Sequence, residues 1–336
     1  MRVKVIGHLP EQDLTVDDMN PWINFFDVFK QRKIKVDRGD LSTSKFDLLI
    51  VNSHSPKALK RAKFLGLKKN RIIMIYWEPF VSYPKIHSSK IRDEYGYVYT
   101  PSKIWSAKLN GEYFYWPQAD IKNNLQQFKY WSQRKNKSVM ILSNKFSAVK
   151  GQNYTLRRKT DLIRDPYGSY LVDLFGEQWN LGFFYDYRHF LGQLYRTPPS
   201  KIDYKSWQCL GKKQPNYFGP TKDKHSTASE YRINLVIENS AEYVSEKLFE
   251  AHLAQSIVIY VGANLRSEGI DPGIAINCEP NVQSIQKVIE NLVNQNNREQ
   301  FKIMKNQHDI ACKESLARNH SIVLADLAEK IIGRVN

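Results

Sequence analysis

Short runs of β-branched and aliphatic residues alternate with amphipathic stretches twice along this chain, and that alternation leaves few folds open. A short apolar run without polar alternation reads as a strand buried on both faces. Strand, helix and strand in series place such strands in a parallel sheet covered by helices. Residues 3–7, 48–52 and 72–77 are runs of this kind, with helical patterns at 22–33 and 56–67 between them. Ser55-Pro56 offers an N-cap followed by proline at the first helical position. Residues 97–100 and 113–117 extend the series before it breaks. The stretch 121–137 is polar, basic and without period, and reads as a linker. The pattern resumes with a strand at 139–143, a helix at 154–163 and a strand at 171–175 that ends on Gly176. A region rich in Tyr, Trp, Gly and Pro follows, 178–220, and reads as irregular. Strands at 232–237 and 257–261 then enclose a helix at 245–254, and helical periodicity returns at 282–294 and 322–332. The expectation is an α/β protein of two Rossmann-like lobes facing a cleft. Residues 1–120 form the first lobe, 121–137 the linker, 138–310 the second lobe and 311–336 a C-terminal helix.

Length agrees with this division, since 336 residues at about 150 per domain is roughly two domains. A hydrophobic share of 42% is enough for a real core. The charge balance is less ordinary: 50 Lys and Arg against 34 Asp and Glu leave +16. Such an excess points to an anionic partner, whether nucleic acid, an acidic membrane surface or a phosphorylated small molecule. No apolar run approaches the 18 or so residues of a transmembrane helix, and the first residues are too short a run for a signal peptide. Cys209, Cys278 and Cys312 lie far apart with no CxxC, so neither a disulfide framework nor a zinc ribbon is supported. The expected setting is reduced and cytoplasmic.

Several chemistries are excluded by missing motifs. There is no Gly-x-Gly and no GxxxxGK[ST], so both the dinucleotide fingerprint and the P-loop are absent. The eight histidines include no HxH or HxxxH pair, which argues against a metalloprotease-type site. No Asp-x-Asp occurs, although a diphosphate held through Mg²⁺ or Mn²⁺ usually brings one. A diphosphate ligand would then be neutralised by cationic side chains and helix N-termini, with no metal.

The most informative segment is 233–262, INLVIENSAEYVSEKLFEAHLAQSIVIYVG. A buried strand runs into Glu238-Asn239-Ser240, and the carboxyl end of a parallel strand is where open α/β sheets bind ligands. Ser245-Glu246-Lys247 then opens a helix. A lysine in a first helical turn is disfavoured by the helix dipole, so its presence suits an anion bound beside it. A solvated Glu-Lys pair on an ordinary βαβ unit explains the spacing equally well.

Glu238-Asn239-Ser240, Tyr243 to Leu248 (YVSEKL) and Ile257 to Gly262 (IVIYVG) together resemble the donor-site signature of the α1,3/4-fucosyltransferases, glycosyltransferase family 10. That pattern runs F-E-N-S, then Y-V-T-E-K, then V-P-V-Y-x-G. Residues 229–235, SEYRINL, are similar to its lead-in. The loop from Asn239 to Tyr243 is shorter than in the family, and Val258 stands where proline is common. Residues 140–144 followed by Arg157-Arg158 resemble the family's strand, S-N and phosphate-gripping arginine; Val172 to Gly176 resembles V-D-x-Y-G. Tyr76-Trp77-Glu78-Pro79 resembles a strand that ends in the family's basic glutamate.

The resemblance implies a GT-B-type inverting glycosyltransferase, acceptor lobe first and donor lobe second. Glu78 would be the general base. Arg157 or Arg158, the latter better placed by spacing, would neutralise the donor diphosphate together with Lys247. Asn239, Tyr243 and Glu246 would contact the nucleoside and sugar. It implies GDP-fucose as donor, no metal or other cofactor, and a glycan acceptor. A lipid-linked acceptor at the cytoplasmic face of a membrane would suit the basic surface. Alternatives are another nucleotide sugar or, in a different class, a basic nucleic-acid-binding protein. For the last there is no helix-turn-helix, RNP-type or zinc-finger pattern, although 121–164 hold eleven Lys and Arg against one Asp. Tyr76, Trp77, Tyr83 and the run 113–116 offer aromatic rings for sugar stacking, or for packing.

Overall fold

The computed structural model describes residues 1–7, 22–38, 45–77, 80, 82–118, 120–122, 130–143, 149, 171–177, 179, 182–202 and 216–335. Two compact units result: one made of Met1–Glu78, Lys85–Ala119 and Ala317–Asn336, the other of Pro79–Pro84 and Asp120–Leu316.

In the first unit the apolar runs become β1 (Arg2–Gly7), β3 (Leu48–Asn52), β4 (Ile72–Ile75), β5 (Tyr97–Thr100) and β6 (Glu112–Tyr113), joined by β2 (Lys35–Arg38). All pair in parallel, in the order β2-β1-β3-β4-β5-β6. The helices are α1 (Trp22–Gln31), α2 (Pro56–Phe64), α3 (Ser89–Arg92) and α4 (Lys103–Lys108). Ser55 caps α2 as its spacing predicts, its hydroxyl accepting from Ala58 N at 3.3 Å. The last helix of the chain, α10 (His320–Val335), belongs to this unit. Its buried positions Val323, Leu324, Leu327, Ala328, Ile331, Ile332 and Val335 form one stripe at helical spacing. That stripe packs with Phe25 and Phe29 of α1 against Val3, Val5, Leu48 and Ile50.

The second unit carries β7 (Lys135–Ile141), β8 (Val172–Phe175), β9 (Tyr231–Ile237), β10 (Ile257–Val261) and β11 (Ile276–Asn277), again all parallel, in the order β11-β10-β9-β7-β8. β7 begins at Lys135, inside the stretch read as linker, and the helix expected at 154–163 lies outside the described residues. The region read as irregular contains α5 (Gly182–Arg196), followed by α6 (Lys224–Ser229) and α7 (Glu246–Leu253). Then come α8 (Val282–Val293) and α9 (Asn297–Ala317), so the boundary expected after residue 310 falls inside a continuous helix. One sheet face buries Ile233, Leu235, Ile237, Ile257 and Ile259 against Ile285 and Ile289 of α8 and Met304 of α9.

Two buried glutamines of α9 tie it to the sheet. Gln300 donates to Leu292 O at 2.7 Å and accepts from Arg232 at 3.0 Å. Gln307 accepts from Val258 N at 2.8 Å and donates to Val258 O at 3.2 Å. β11 pairs β10 only at Ile259 and Tyr260, so Val258 has no strand partner on that side and the amide substitutes for one. This accounts for valine where the resembling family often has proline, which has no N–H to satisfy. Gln307→Leu leaves both Val258 groups buried and unpaired, so stability should fall by about 2 kcal/mol. The check is a lower urea midpoint with an unchanged slope.

Candidate functional site

In both sheets the first strand of the unit is flanked by its two successors, β1 by β2 and β3, and β7 by β8 and β9. The chain therefore reverses direction across each sheet at that strand. Loops leaving the carboxyl ends on either side diverge and open a crevice for ligand. In the second unit the crevice is occupied by a cavity of about 350 Å³. Its described lining includes Ile141, Leu142 and Ser143 at the end of β7, Gly176 and Glu177 after β8, and Asn239 after β9. Lys224 and His225 of α6 and Glu246, Lys247 and Glu250 of α7 supply its ionisable wall.

The turn from β9 to α7 is organised by a carboxylate to which the sequence alone assigned no role. Glu238 is fully buried, its N–H continuing the ladder to Val261 O at 2.9 Å. Its side chain accepts from Ser245 N at 2.8 Å, from Ser245 Oγ at 2.8 and 2.9 Å, and from Lys247 Nζ at 3.3 Å. Ser245 is also the N-cap of α7, accepting from Lys247 N at 3.3 Å. The anion expected beside Lys247 at this helix start is thus built into the chain. Gly262 makes the arrangement fit, for a Cβ there would stand 2.8 Å from Glu238 Cγ and 2.3 Å from the Tyr260 hydroxyl. Ser240 is buried and donates to Glu242 Oε2 at 3.1 Å, holding the short loop.

Burial alone would lower the Lys247 ammonium, but Glu238 and Glu246 outweigh it and carry its pKa upward. Two of its three donors point to Glu238 and Ser245; among the described residues the third has no hydrogen-bond partner, and 30% of the side chain is exposed. Glu246 sits on the cavity wall, its pKa raised by burial against the opposing pull of Lys247. Lys224 is ion-paired to Glu250, and burial lowers the pKa of His225. The described lining therefore offers Lys224 and Lys247 against Glu177, Glu246 and Glu250, which is no strongly positive basin.

Of the residues singled out from sequence, Asn239, Glu246 and Lys247 line this cavity together. Tyr243 is only 3% exposed and is not among its lining residues. Glu78, Arg157 and Arg158 lie outside the described residues. Lys224 and His225 were missed; the signal for them was an aspartate cap, Asp223, before a short helix in the stretch between residue 220 and the strand at 232, to which no element was assigned. The aromatics considered for stacking are mostly packed. Tyr76 is 1% exposed, and Trp77 meets Trp22, Phe114 and Trp116 edge-on at 5.1–5.3 Å. Tyr115 is more open but lies under the Arg318 guanidinium at 4.7 Å. Tyr83 meets the Arg196 guanidinium at 5.7 Å.

Among the described residues no group of three His, Cys, Asp or Glu side chains is placed to hold a metal, and no helix is long and apolar enough to cross a membrane. No protein-family model matches the chain, and no curated protein matches it in sequence. In structure it is similar, over 99% of both chains, to Anabaena HepE in complex with UDP-glucose, at 12% identity and a TM-score of 0.57. It is similar to the β-glucosyltransferase of phage T4, described as a DNA modifying enzyme, at 14% identity, 99% of both chains and a TM-score of 0.54. A glycosyltransferase from Rickettsia africae, at 11% identity, is covered over 98% of its length by the whole of this chain with a TM-score of 0.57. These likenesses and the two parallel sheets establish the fold as the two-lobed GT-B type, shared with glycosyltransferases.

Proposed function

We propose that this chain is a glycosyltransferase that takes its sugar from a nucleoside-diphosphate donor held by the second unit. The observation that carries the reading is the cavity at the β7/β9 reversal, where Glu238 fixes Lys247 with one ammonium donor to spare. Transfer with inversion is a direct displacement. The acceptor oxygen attacks the anomeric carbon, the nucleoside diphosphate leaves from the opposite face, and a base removes the acceptor proton. In this scheme Glu78 is the base. Lys247, with Arg157 or Arg158, neutralises the leaving diphosphate without a metal, and Asn239 and Glu246 contact nucleoside and sugar, while the buried Tyr243 packs behind them.

For the donor, the E-N-S and Y-V-S-E-K pieces support GDP-fucose. The UDP-glucose held by HepE and by T4 β-glucosyltransferase supports a UDP-hexose as the second reading. The proposed acceptor is a glycan hydroxyl, lipid-linked in the version that gives the basic surface a cytoplasmic membrane face to rest on. The T4 enzyme makes DNA an acceptor to include in the assay. The test is a thermal-shift and turnover screen of GDP-, UDP-, CMP- and dTDP-sugars with and without EDTA. A true donor at a hundred times its Kd should stabilise by about 2.7 kcal/mol. If no nucleotide sugar shifts the transition at millimolar concentration, the proposal fails; dependence on Mn²⁺ removes its metal-free form.

Lys247→Met should weaken donor and nucleoside-diphosphate binding by about ten- to a hundredfold, the value of one charge-assisted contact of about 1.5–3 kcal/mol. Titration calorimetry below the variant's unfolding transition separates this loss from the stability lost by leaving Glu238 unpaired. Unchanged affinity would remove Lys247 from the donor site.

A further inference from the structure

A second cavity, of about 500 Å³, lies in the first unit along the open edge of its sheet, between α1 and β2. From α1 it takes Ile23, Phe26, Asp27 and Lys30, one helical face about 10 Å long. From β2 and the turn before it come Ile34, Val36 and Arg38, which alternate onto one face, with the exposed Lys33 and Lys35 beside them. The floor is apolar and the charge around it is one-sided: Lys30, Lys33, Lys35 and Arg38 against Asp27. Among the described residues none of these four cations has a carboxylate partner. The carboxylate of β2 itself, Asp37, alternates to the opposite face and is ion-paired with Lys4 at 3.1 Å.

Folding needs explain part of this. Cations suit a helix C-terminus, and charges on an edge strand discourage pairing with another chain. Neither need gathers four cations round an open apolar floor, nor sets Lys33 where it stands. α1 ends in a Schellman motif, Lys33 N donating to Lys30 O and Ile34 N to Phe29 O, both at 2.9 Å. The motif holds Lys33 at φ +55°, a left-handed position that glycine fills without strain. Arg38 lies over the Phe26 ring at 4.3 Å. A guanidinium stacked by its face keeps its in-plane donors for an acceptor.

Cations around an apolar floor match an anionic amphiphile, whose phosphates meet the cations while its acyl carbons cover the floor. A nucleic acid would leave the aliphatic side chains against water, and Arg38 already covers the Phe26 ring on which a base could stack. We propose that this groove is the surface by which the protein docks on a membrane rich in anionic phospholipid. The inference rests on the membrane-bound form of the acceptor reading above and deepens it. Its test reads vesicle binding alone, so docking and glycosyl transfer can each fail without the other.

The test is co-sedimentation of the full chain with vesicles of phosphatidylcholine, alone or with about one-third phosphatidylglycerol. Wild type should prefer the anionic vesicles by about fivefold for each cation engaged. Lys30→Gln/Lys33→Gly should lose about twenty-five-fold of that affinity with no fall in Tm, because glycine relieves the backbone at position 33. Ile23→Ser, at a position outside the core cluster, should lose about tenfold. Lys57→Gln/Lys60→Gln removes the same charge from the exposed side of α2 and should change binding by less than about twofold. Equal binding of wild type to both vesicles overturns the proposal. So does an equal loss in the α2 variant, which would make the attraction a matter of net charge. Unchanged vesicle affinity in Lys30→Gln/Lys33→Gly or in Ile23→Ser also overturns it, and if the lysine variant then loses binding to a generic DNA duplex instead, the groove is a nucleic-acid surface.

Discussion

Gly176→Ala should destabilise the second unit by about 4 kcal/mol, combining a strained backbone with a steric overlap that has no flexible side chain to yield. Gly176 ends β8 at φ +135°, in the region that only glycine enters readily. A Cβ built there would stand 1.8 Å from the backbone oxygen of Leu142, in the segment leaving β7. The surrounding contacts hold it in place. Its N–H donates to Gly219 O at 3.0 Å and its carbonyl accepts from the Tyr217 hydroxyl at 2.8 Å. Relief would require the ends of β7 and β8 to separate, yet Leu142 N donates to Phe175 O at 3.0 Å across that junction. For a unit of this size the expected drop in Tm is about 8–16 °C by differential scanning calorimetry. Both Leu142 and Gly176 line the cavity, so the variant should also lose nucleotide binding at temperatures where it remains folded. A drop below about 2 °C would mean that the close approach is not maintained in solution.

That glycine illustrates which parts of the fold could be read from residues. Strands buried on both faces were legible because nothing polar interrupts them: 48–52, 97–100 and 257–261 fall on β3, β5 and β10 residue for residue. Edges and polar helices were not. β2 is KVDR, an edge strand whose charges protect its open side and erase the apolar signal. α9 buries Gln300, Gln307 and Ser315 along with Met304 and Ala311, so its inward stripe does not stand out as hydrophobic. The placement of α10 with the first unit was equally hidden. Its apolar stripe shows that it packs, but only tertiary structure shows that its partner is α1, near the opposite end of the chain.

For the site, residue types at a strand end and a helix start located the crevice, and Asn239, Glu246 and Lys247 meet there. Charge was the misleading signal. A lysine at a helix start suggested an external anion, but a buried carboxylate seven residues upstream of Ser245 already satisfies much of that need. Sequence spacing cannot tell a glutamate that faces ligand from one that faces inward, because that depends on how the intervening loop turns. Here the turn closes through Ser240 and Glu242 and draws Glu238 under the helix.

Glu238→Gln should then be damaging to both stability and binding. The native carboxylate has only acceptors, and each described hydrogen bond to it comes from a donor: Ser245 N, Ser245 Oγ and Lys247 Nζ. A glutamine in the same space keeps one acceptor and turns an NH₂ toward the Ser245 hydroxyl or the Lys247 ammonium, and the ion pair is lost. Removing one partner of a buried pair costs about 3–5 kcal/mol. The lower end, about 3 kcal/mol, applies because the orphaned charge is Lys247, which keeps 30% exposure and can rehydrate. The corresponding loss is about 6–12 °C in Tm for a unit of this size. Gly262 leaves no spare room, since even an added methyl group would crowd Glu238 Cγ at 2.8 Å, so the amide cannot escape by swinging aside. Donor affinity should fall with stability, because Asn239, Glu246 and Lys247 are all carried by the turn that Glu238 ties down. The double variant Glu238→Gln/Lys247→Met decides whether charge pairing or shape is responsible. If pairing dominates, removing both charges leaves no uncompensated ion, and the double variant should be more stable than Glu238→Gln by at least about 1 kcal/mol. A double variant whose losses simply add would show that Glu238 acts through its hydrogen bonds to Ser245 alone, and that Lys247 is poised by the helix and not by the carboxylate beneath it.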